Sequence, residues 1–167
     1  GCCGDEPMFV EVNPSDGSFD LSDAESIPLQ GCCPLMGGGL TANGDELVGV
    51  GDGEGRVSSF DEDGDQDGPF NNTNIEGLRS GSKSLAYRSA KAQYFVGDDE
   101  TLLGFDSSFE SLSALEWDLS YGSEDLEIQA LTVDNGNDFI YIADDESDSI
   151  YKASLPTGET TNPKAMA

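Results

Sequence analysis

An alternating run of aspartates is the part of this sequence whose residue types and spacing could do chemistry. Asp61, Asp63, Asp65 and Asp67 alternate, and Gly68 follows directly. Counted from Asp63, oxygen-bearing side chains fall at positions 1, 3, 5, 9 and 12, with Gly68 at position 6 for a sharp turn. Calcium takes about six to eight oxygen ligands at flexible distances. The spacing therefore predicts a Ca²⁺ site.

This loop resembles the D-x-D-x-D-G-x-x-[DN]-x-x-[DN] calcium loops of thrombospondin type 3 repeats, dockerins and integrin alpha-subunit propellers. The resemblance implies that the metal ligands are Asp63, Asp65, Asp67, Asn71 and Asn74. An EF-hand has Glu at the last position, where this chain has Asn74. Because Asn ligands carry no charge, the implied affinity is modest. The alternative is a solvated acidic turn in a chain with 34 Asp and Glu.

The same loop contains a glycosylation sequon. Asn71-Asn72-Thr73 fits the N-x-[ST] pattern, so Asn71 is also a candidate glycan acceptor. A glycan and a calcium ion would compete for Asn71, and sequons also arise by chance.

Composition excludes several classes of partner and chemistry. The 167 residues include seven Lys and Arg and no His, which gives a formal net charge of −27. Such a charge repels nucleic acid and anionic membrane surfaces, and it favours cations and a saline medium. Adaptation to a saline habitat explains the charge equally well without a partner. The absence of His excludes His-based triads and His metal ligands.

The cysteines form two vicinal pairs, Cys2-Cys3 and Cys32-Cys33. Neither pair has the gap of a zinc site, and an even count in an acidic chain indicates disulfides and an extracellular or cell-surface location. Three pairings are open, and bonds between the two pairs are favoured over bonds within a pair. Bonds to a neighbouring chain are an alternative. No apolar run approaches membrane-spanning length, and without an initiator Met the chain is expected to be a processed product or a fragment.

The elements that must position the acidic loop come from an internal repeat. Three segments beginning at Leu40, Leu85 and Leu131 share a short apolar stretch, a polar turn, and two alternating strands separated by an acidic turn. The aspartates after the middle strand, Asp52, Asp98 and Asp144, recur at intervals of 46 residues. The alternation predicts β-strands. The predicted middle strands contain Leu47, Val48, Val50, Tyr94, Phe95, Val96, Phe139, Ile140, Tyr141 and Ile142.

Four strands in about 40–50 residues are typical of a β-propeller blade. The segment "IQALTVDNGNDFIYIADDESDSIYKASLPTGE" resembles secreted propellers with degenerate G-L-A-x-D-x-x-G-x-L-Y-V-x-D-x-x-x-x-I-Y-x-x-D blades. The predicted fold is a single all-β propeller domain of four-stranded antiparallel blades. Its parts are a half blade at 8–30, blades at 38–79 and 82–120, with 112–120 as an outer strand, and a partial blade at 128–158.

About three and a half blades do not close a ring, because propellers typically have about four or more. The uncovered blades would expose strand edges and apolar faces. We therefore expect a homo-oligomer, such as a filament, or a longer chain that supplies more blades. The alternative is that the two incomplete units close on each other.

Three further groups each have a functional and a structural interpretation. The recurring aspartates either cap turns through backbone hydrogen bonds or ring a cation in the propeller channel. Trp117 either packs between blades or stacks on a sugar. A basic segment contains four of the seven Lys and Arg, namely Arg79, Lys83, Arg88 and Lys91. This basic segment either docks an acidic surface of a neighbouring subunit or is a solvated blade edge.

These observations favour a non-catalytic extracellular structural or adhesive propeller module, stabilised by calcium and part of a surface assembly or filament. One alternative is a carbohydrate- or protein-binding module of a larger secreted protein. Another is a calcium-dependent propeller hydrolase, similar to lactonases or phytases, which hold their metal in the central channel. The acidic loop lies outside any such channel, so we expect no enzyme activity.

Overall fold

The computed structural model describes part of the chain in detail. The described residues are 8–9, 25–26, 39–44, 46–50, 55–61, 73–76, 78, 82–144, 146–155 and 160–165, and for 8–9, 25–26, 82–83 and 160–165 only the backbone is described.

The described residues form strands and turns, with one 3-10 turn at Ser89–Lys91. A two-stranded sheet pairs β1 (Met8–Phe9) with β2 (Glu25–Ser26). The first four-stranded sheet contains β3 (Leu40–Asn43), β4 (Glu46–Val50), β5 (Arg56–Phe60) and β6 (Thr73–Asn74). The second contains β7 (Ser82–Arg88), β8 (Gln93–Asp98), β9 (Thr101–Phe105) and β10 (Ser111–Asp118).

A hairpin follows the second sheet, with β11 (Ser120–Tyr121) paired to β12 (Glu124–Asp125). The third four-stranded sheet contains β13 (Ile128–Asp134), β14 (Phe139–Asp144), β15 (Ser149–Ser154) and β16 (Thr160–Ala165). In all three sheets, consecutive strands pair antiparallel in chain order. This is the predicted β-propeller architecture, with each sheet as a blade and an incomplete ring in this chain.

The blades stack through their apolar faces. We call the face that points to the next blade in chain order the forward face, and the opposite one the rear face. Val48, Val50 and Val57 on the forward face of the first blade pack against the rear face of the second, which includes Tyr94 and Val96. The same relation holds between the second and third blades, where the buried residues are Phe95, Leu102, Leu119, Leu126, Ile128, Ile140, Ile142, Tyr151, Ala153 and Leu155.

The predicted middle strands are confirmed as β4, β8 and β14, and the predicted outer strand at 112–120 corresponds to β10. The last blade is longer than predicted, because β16 pairs with β15 beyond residue 158 and completes four strands. Pro163 concealed this strand in the sequence, since proline is tolerated only at sheet edges or bulges. Both strands β1 and β2 lie inside the half blade predicted at 8–30.

The repeat in three dimensions differs by one residue from the repeat read from the aspartates. Leu40 pairs with Gly49, Leu85 with Val96, and Leu131 with Ile142. The equivalent middle-strand residues are therefore 47 and then 46 residues apart. The one-residue difference arises after the paired position, because Asp52 follows Gly49 by three residues whereas Asp98 follows Val96 by two.

Gly97 lets the second and third blades approach closely. A Cβ atom built on Gly97 would fall under 3.0 Å from Ile128 Cγ2 and from Ser84 Oγ. Since Ile128 begins the third blade, any side chain at Gly97 would push the two blades apart.

We expect Gly97→Ala to destabilise the protein by about 1–3 kcal/mol, because the added methyl overpacks a closed interface. Denaturant unfolding would measure the change. Gly136→Ala is the matched control, because its Cβ would meet only Asp134 Oδ1, at 3.4 Å. Equal stability of the two variants would contradict the close approach of the blades.

Candidate functional site

Most of the predicted calcium ligands lie outside the described residues. This applies to Asp63, Asp65, Asp67 and Asn71, and with Asn71 to the glycosylation prediction. Asn74 lies in β6, where it is exposed and pairs with Arg56. The acidic loop connects β5 to β6, the third and fourth strands of the first blade, as predicted. The calcium site itself stays a prediction.

The cysteines also lie outside the described residues. The described residues do not include Cys2, Cys3, Cys32 or Cys33. They do not include the recurring aspartate Asp52 either. The disulfide prediction therefore stands as it was made from the sequence.

An acidic cleft lies where the second blade connects to the third. Its volume is about 400 Å³, and its lining residues are Asp99, Glu100, Ser123, Glu124, Asp125, Glu127 and Glu146. A smaller pocket of about 170 Å³ adjoins it; Tyr121, Leu126, Ser147 and Tyr151 are among its lining residues. No Lys or Arg is among the described residues that line either space. The cleft therefore attracts positive charge, although the described residues include no group of three or more potential ligands placed to hold a metal ion.

The sequence did not indicate this cleft, because one wall is the β11–β12 hairpin. The turn of the hairpin is Gly122-Ser123, and Gly122 has φ of 69°. A two-residue turn that begins with glycine is a known hairpin signal, so "SYGSED" could have revealed these strands. The ring of Tyr121 lies 5.5 Å from that of Tyr151, centroid to centroid, which joins the hairpin to the third blade.

Asp144 has the structural role that was favoured for the recurring aspartates. It is buried at the end of β14, and its Oδ1 accepts a hydrogen bond of 2.7 Å from the backbone N–H of Glu127. Its Oδ2 accepts bonds from both the backbone N–H and the hydroxyl of Ser147. The Ser147 hydroxyl also lies 3.0 Å from the hydroxyl of Tyr151. Asp144 therefore fixes the entry to β13 and the turn after β14.

The surroundings of the Arg88 side chain fit neither interpretation of the basic segment. Its side chain is 3% exposed, and its Nη2 forms an ion pair with Asp138 Oδ1 of the third blade. Nη1 also donates a bond of 3.2 Å to Gln93. Arg88 thus docks an acidic group of its own chain, neither of another subunit nor of solvent. Lys91 is exposed, whereas the side chains of Arg79 and Lys83 lie outside the described residues.

The turn that holds Asp138 has further polar contacts with the second blade. Asn135 Oδ1 accepts a hydrogen bond of 2.7 Å from the backbone N–H of Ser89. Within the turn, Asp134 accepts bonds from Asn137 Nδ2 and from the backbone N–H of Gly136, each 3.0 Å long. The Asn137 bond, followed by the Gly136 bond, lowers the pKa of the Asp134 carboxyl. The turn is therefore ordered by its own aspartate and presents Asn135 and Asp138 to the preceding blade.

A second polar link joins the first blade to the second. Asn43 Nδ2 donates a hydrogen bond of 2.8 Å to the hydroxyl of Tyr94. The Tyr94 ring is fully buried and stacks on Phe109, with ring centroids 4.3 Å apart. Burial raises the pKa of Tyr94 to about 12, against a smaller opposing effect of the Asn43 hydrogen bond.

Trp117 packs between blades, as favoured from the sequence. It lies in β10 and is partly buried against the cluster between the second and third blades.

Sequence comparisons identify no relative of this chain. No protein-family model matches it, and no curated protein matches its sequence. No helix among the described residues is long and apolar enough to cross a membrane.

Solved structures match the fold. A structural genomics protein of unknown function from Bacteroides thetaiotaomicron aligns with TM-score 0.62 and 15% identity, over 92% of this chain and 40% of that one. A chain of a nidogen/laminin complex gives TM-score 0.60 and 12% identity, over 87% and 52%. The WD40 domain of Neurospora crassa Pan2 gives TM-score 0.52 and 12% identity, over 75% and 34%. These likenesses establish a propeller-type fold alone, and the chain spans from a third to about half of the matched chains.

We expect Asp138→Ala to destabilise the protein by about 1–3 kcal/mol, because it leaves the buried guanidinium of Arg88 without its carboxylate. Asp125→Ala is the control, since Asp125 is an exposed acid with the same charge change. Thermal unfolding of both variants would measure the difference. If Asp138→Ala and Asp125→Ala lost the same stability, the loss would come from the change in net charge and not from the ion pair with Arg88.

Stability should fall in alkali as Tyr94 titrates. The folded pKa of about 12 exceeds the ordinary value of 10.0, so its contribution is fully present below about pH 10 and is lost as pH rises through about 12. The loss should be on the order of 1–3 kcal/mol. Urea midpoints across this range would show it, and Tyr94→Phe should remove that part of the pH dependence. If the urea midpoint of Tyr94→Phe fell with rising pH as steeply as that of the wild type, the assignment to Tyr94 would be contradicted.

Proposed function

We propose that this chain is a non-catalytic extracellular propeller module, stabilised by calcium, that forms part of a surface assembly or filament. The observation that carries the proposal is the incomplete ring. The described residues form three four-stranded blades and two two-stranded sheets, β1–β2 and β11–β12, which falls short of the number of blades that typically closes a propeller, about four or more. A blade buries its apolar faces only against other blades, so such a chain gains stability from additional blades.

The polar contacts of the described blades support a structural role. Asp144 is saturated by bonds to Glu127 and Ser147, and Arg88 is held by Asp138 and Gln93. Each of these side chains joins two blades or fixes a turn. Two of the candidate residues in the described blades, Asp144 and Arg88, are thus engaged in holding the fold.

One of the similar structures is a chain of a nidogen/laminin complex, so a protein of this fold occurs in a complex of two proteins. The paired cysteines and the net charge of −27 suit an oxidising, cation-rich medium. Calcium in the loop from Asp63 to Asn74 would neutralise part of that charge beside β5 and β6.

Calcium should raise the melting temperature, because an ion that binds only the folded state stabilises it by mass action. At one hundred times Kd the gain is about 2.7 kcal/mol, which for this size corresponds to roughly 5–10 °C. Asp65→Ala should abolish the shift. Glu116→Ala is the control, because it removes one exposed carboxylate from β10 and should keep the shift. An unchanged shift in Asp65→Ala would show that calcium acts elsewhere.

The same calcium-loaded sample should show no turnover of lactones or phosphate esters above the buffer rate. Measurable turnover would favour the hydrolase alternative over a structural module.

A further inference from the structure

The sequence contains two Asn-Gly dipeptides, Asn43-Gly44 and Asn135-Gly136, and both lie where one blade contacts another. Asn43 ends the first strand of the first blade, and Asn135 directly follows the first strand of the third. Each asparagine bonds the second blade through its side-chain amide. Asparagine before glycine is also the pair in which the main chain attacks the side-chain amide most readily, because no Cβ hinders the glycine nitrogen.

This attack closes a ring and needs no second reactant. The glycine nitrogen forms a bond to Cγ of the asparagine, the bond from Cγ to Nδ2 breaks, and the proton of the glycine nitrogen leaves with the ammonia. Water then opens the cyclic imide. Cleavage at Cγ gives aspartate, and cleavage at the main-chain carbonyl gives isoaspartate, in which the chain runs through Cβ.

The contacts around Asn135 assist each part of this reaction. The backbone N–H of Ser89 donates a bond of 2.7 Å to its Oδ1, so a donor already faces the oxygen on which negative charge develops. Asp134 Oδ1 accepts a bond of 3.0 Å from the backbone N–H of Gly136, which places a carboxylate at the proton of the attacking nitrogen. The Nδ2 that must leave donates a long bond of 3.4 Å to the carbonyl of Tyr87, and the Asn135 side chain is exposed.

Asn43 has different surroundings. Its Nδ2 donates a bond of 2.8 Å to the hydroxyl of Tyr94, whose ring is fully buried, and Asn43 is itself partly buried. Pairing with Glu46 also fixes the Asn43 backbone in the β3–β4 hairpin. The group that must leave is therefore the one that bonds the neighbouring blade, and the fold opposes its loss.

We propose that Asn135 is a site of spontaneous modification, at which the folded protein converts this asparagine to aspartate and isoaspartate, whereas Asn43 is protected. The attacking nitrogen, the proton acceptor and the donor to the oxyanion all belong to this chain. Water is the only other reactant, and no group is oxidised or reduced.

The modification acts on the joint between the second and third blades. Either product lacks the Nδ2 donor and places a carboxylate oxygen near the carbonyl of Tyr87, which repels it. Isoaspartate also adds a carbon to the main chain of the turn that presents Asp138 to the buried guanidinium of Arg88. The joint between these blades therefore loosens with the age of the protein.

Peptide mass spectrometry of folded protein, incubated in mildly alkaline buffer, compares the two dipeptides in one sample. Conversion at Asn135 should be at least about tenfold faster than at Asn43, a factor that one hydrogen bond of ordinary net strength supplies. In guanidinium chloride the two rates should approach each other. Equal rates in the folded protein, or a faster reaction at Asn43, would overturn the proposal. So would a ratio that persists in the unfolded chain, because the local sequence and not the fold would then set it.

Gly136→Ala tests the identity of the attacking nitrogen. The added Cβ hinders ring closure, yet it would meet only Asp134 Oδ1, at 3.4 Å, so the variant should fold. Conversion at Asn135 should slow several-fold, while conversion at Asn43 should keep its wild-type rate as the internal control. Undiminished conversion at Asn135 would contradict attack by the Gly136 nitrogen.

Asn135→Asp reproduces one product and tests the effect on the joint. It should lower the melting temperature by roughly 2–4 °C, which for a chain of this size corresponds to the loss of one ordinary hydrogen bond. Ser113→Asp is the matched control, because it adds the same charge at an exposed position of the outer strand β10. Equal melting temperatures of the two variants would show that the modification leaves the joint intact.

Discussion

The stability of this chain depends on covering each blade's apolar faces with the neighbouring blades. A four-stranded antiparallel sheet satisfies its backbone internally but leaves two side-chain surfaces, and water covers neither without cost. At about 25 cal/mol per Å² of apolar area, one uncovered face amounts to several kcal/mol, a large part of the stability of a domain. The fully buried side chains of the described residues lie mainly in the two layers between blades. Those layers, and not the sheets alone, are the cores of the molecule.

Polar groups then fix how the blades sit on one another. Apolar contact is non-directional, so it allows adjacent sheets to slide. Directional bonds such as Asn43 to Tyr94 and Arg88 to Asp138 remove that freedom at the end of the blades where the first two strands turn. At the other end, Asp144 ties the start of β13 to the turn after β14. The Arg88 and Asn43 bonds connect successive blades, so each blade is oriented by the one beside it.

The sequence was sufficient to predict the middle strands, their order and the blade architecture, because alternation records which side of a strand is buried. It did not reveal β16, since Pro163 hides an edge strand, nor the hairpin at Tyr121, whose strands have two residues each. The partner of Arg88 was also beyond reach. The pairing with Asp138 depends on how two blades stack, and no local pattern encodes a contact between residues 50 apart. The acidic cleft arises from the same kind of assembly, as its carboxylates come from the β8–β9 turn, from β12 and the residue Glu127 after it, and from the β14–β15 turn.

The one-residue difference between the aspartate repeat and the repeat of paired strand residues constrains how such a protein can gain or lose blades during evolution. A crossover between the first and second blades that aligned Asp52 with Asp98 would splice middle strands offset by 46 residues, whereas their hydrogen-bonded equivalents are 47 apart. Every side chain downstream in that strand would change faces, and the valines or aromatics meant for the core would point the wrong way. A crossover that follows the strand pairing would keep every side chain on its own face. Joining Leu47 directly to Phe95 is one example, because Phe95 is equivalent to Val48. Recombination between blades therefore preserves the buried layers only when the crossover keeps each middle-strand residue on its original face.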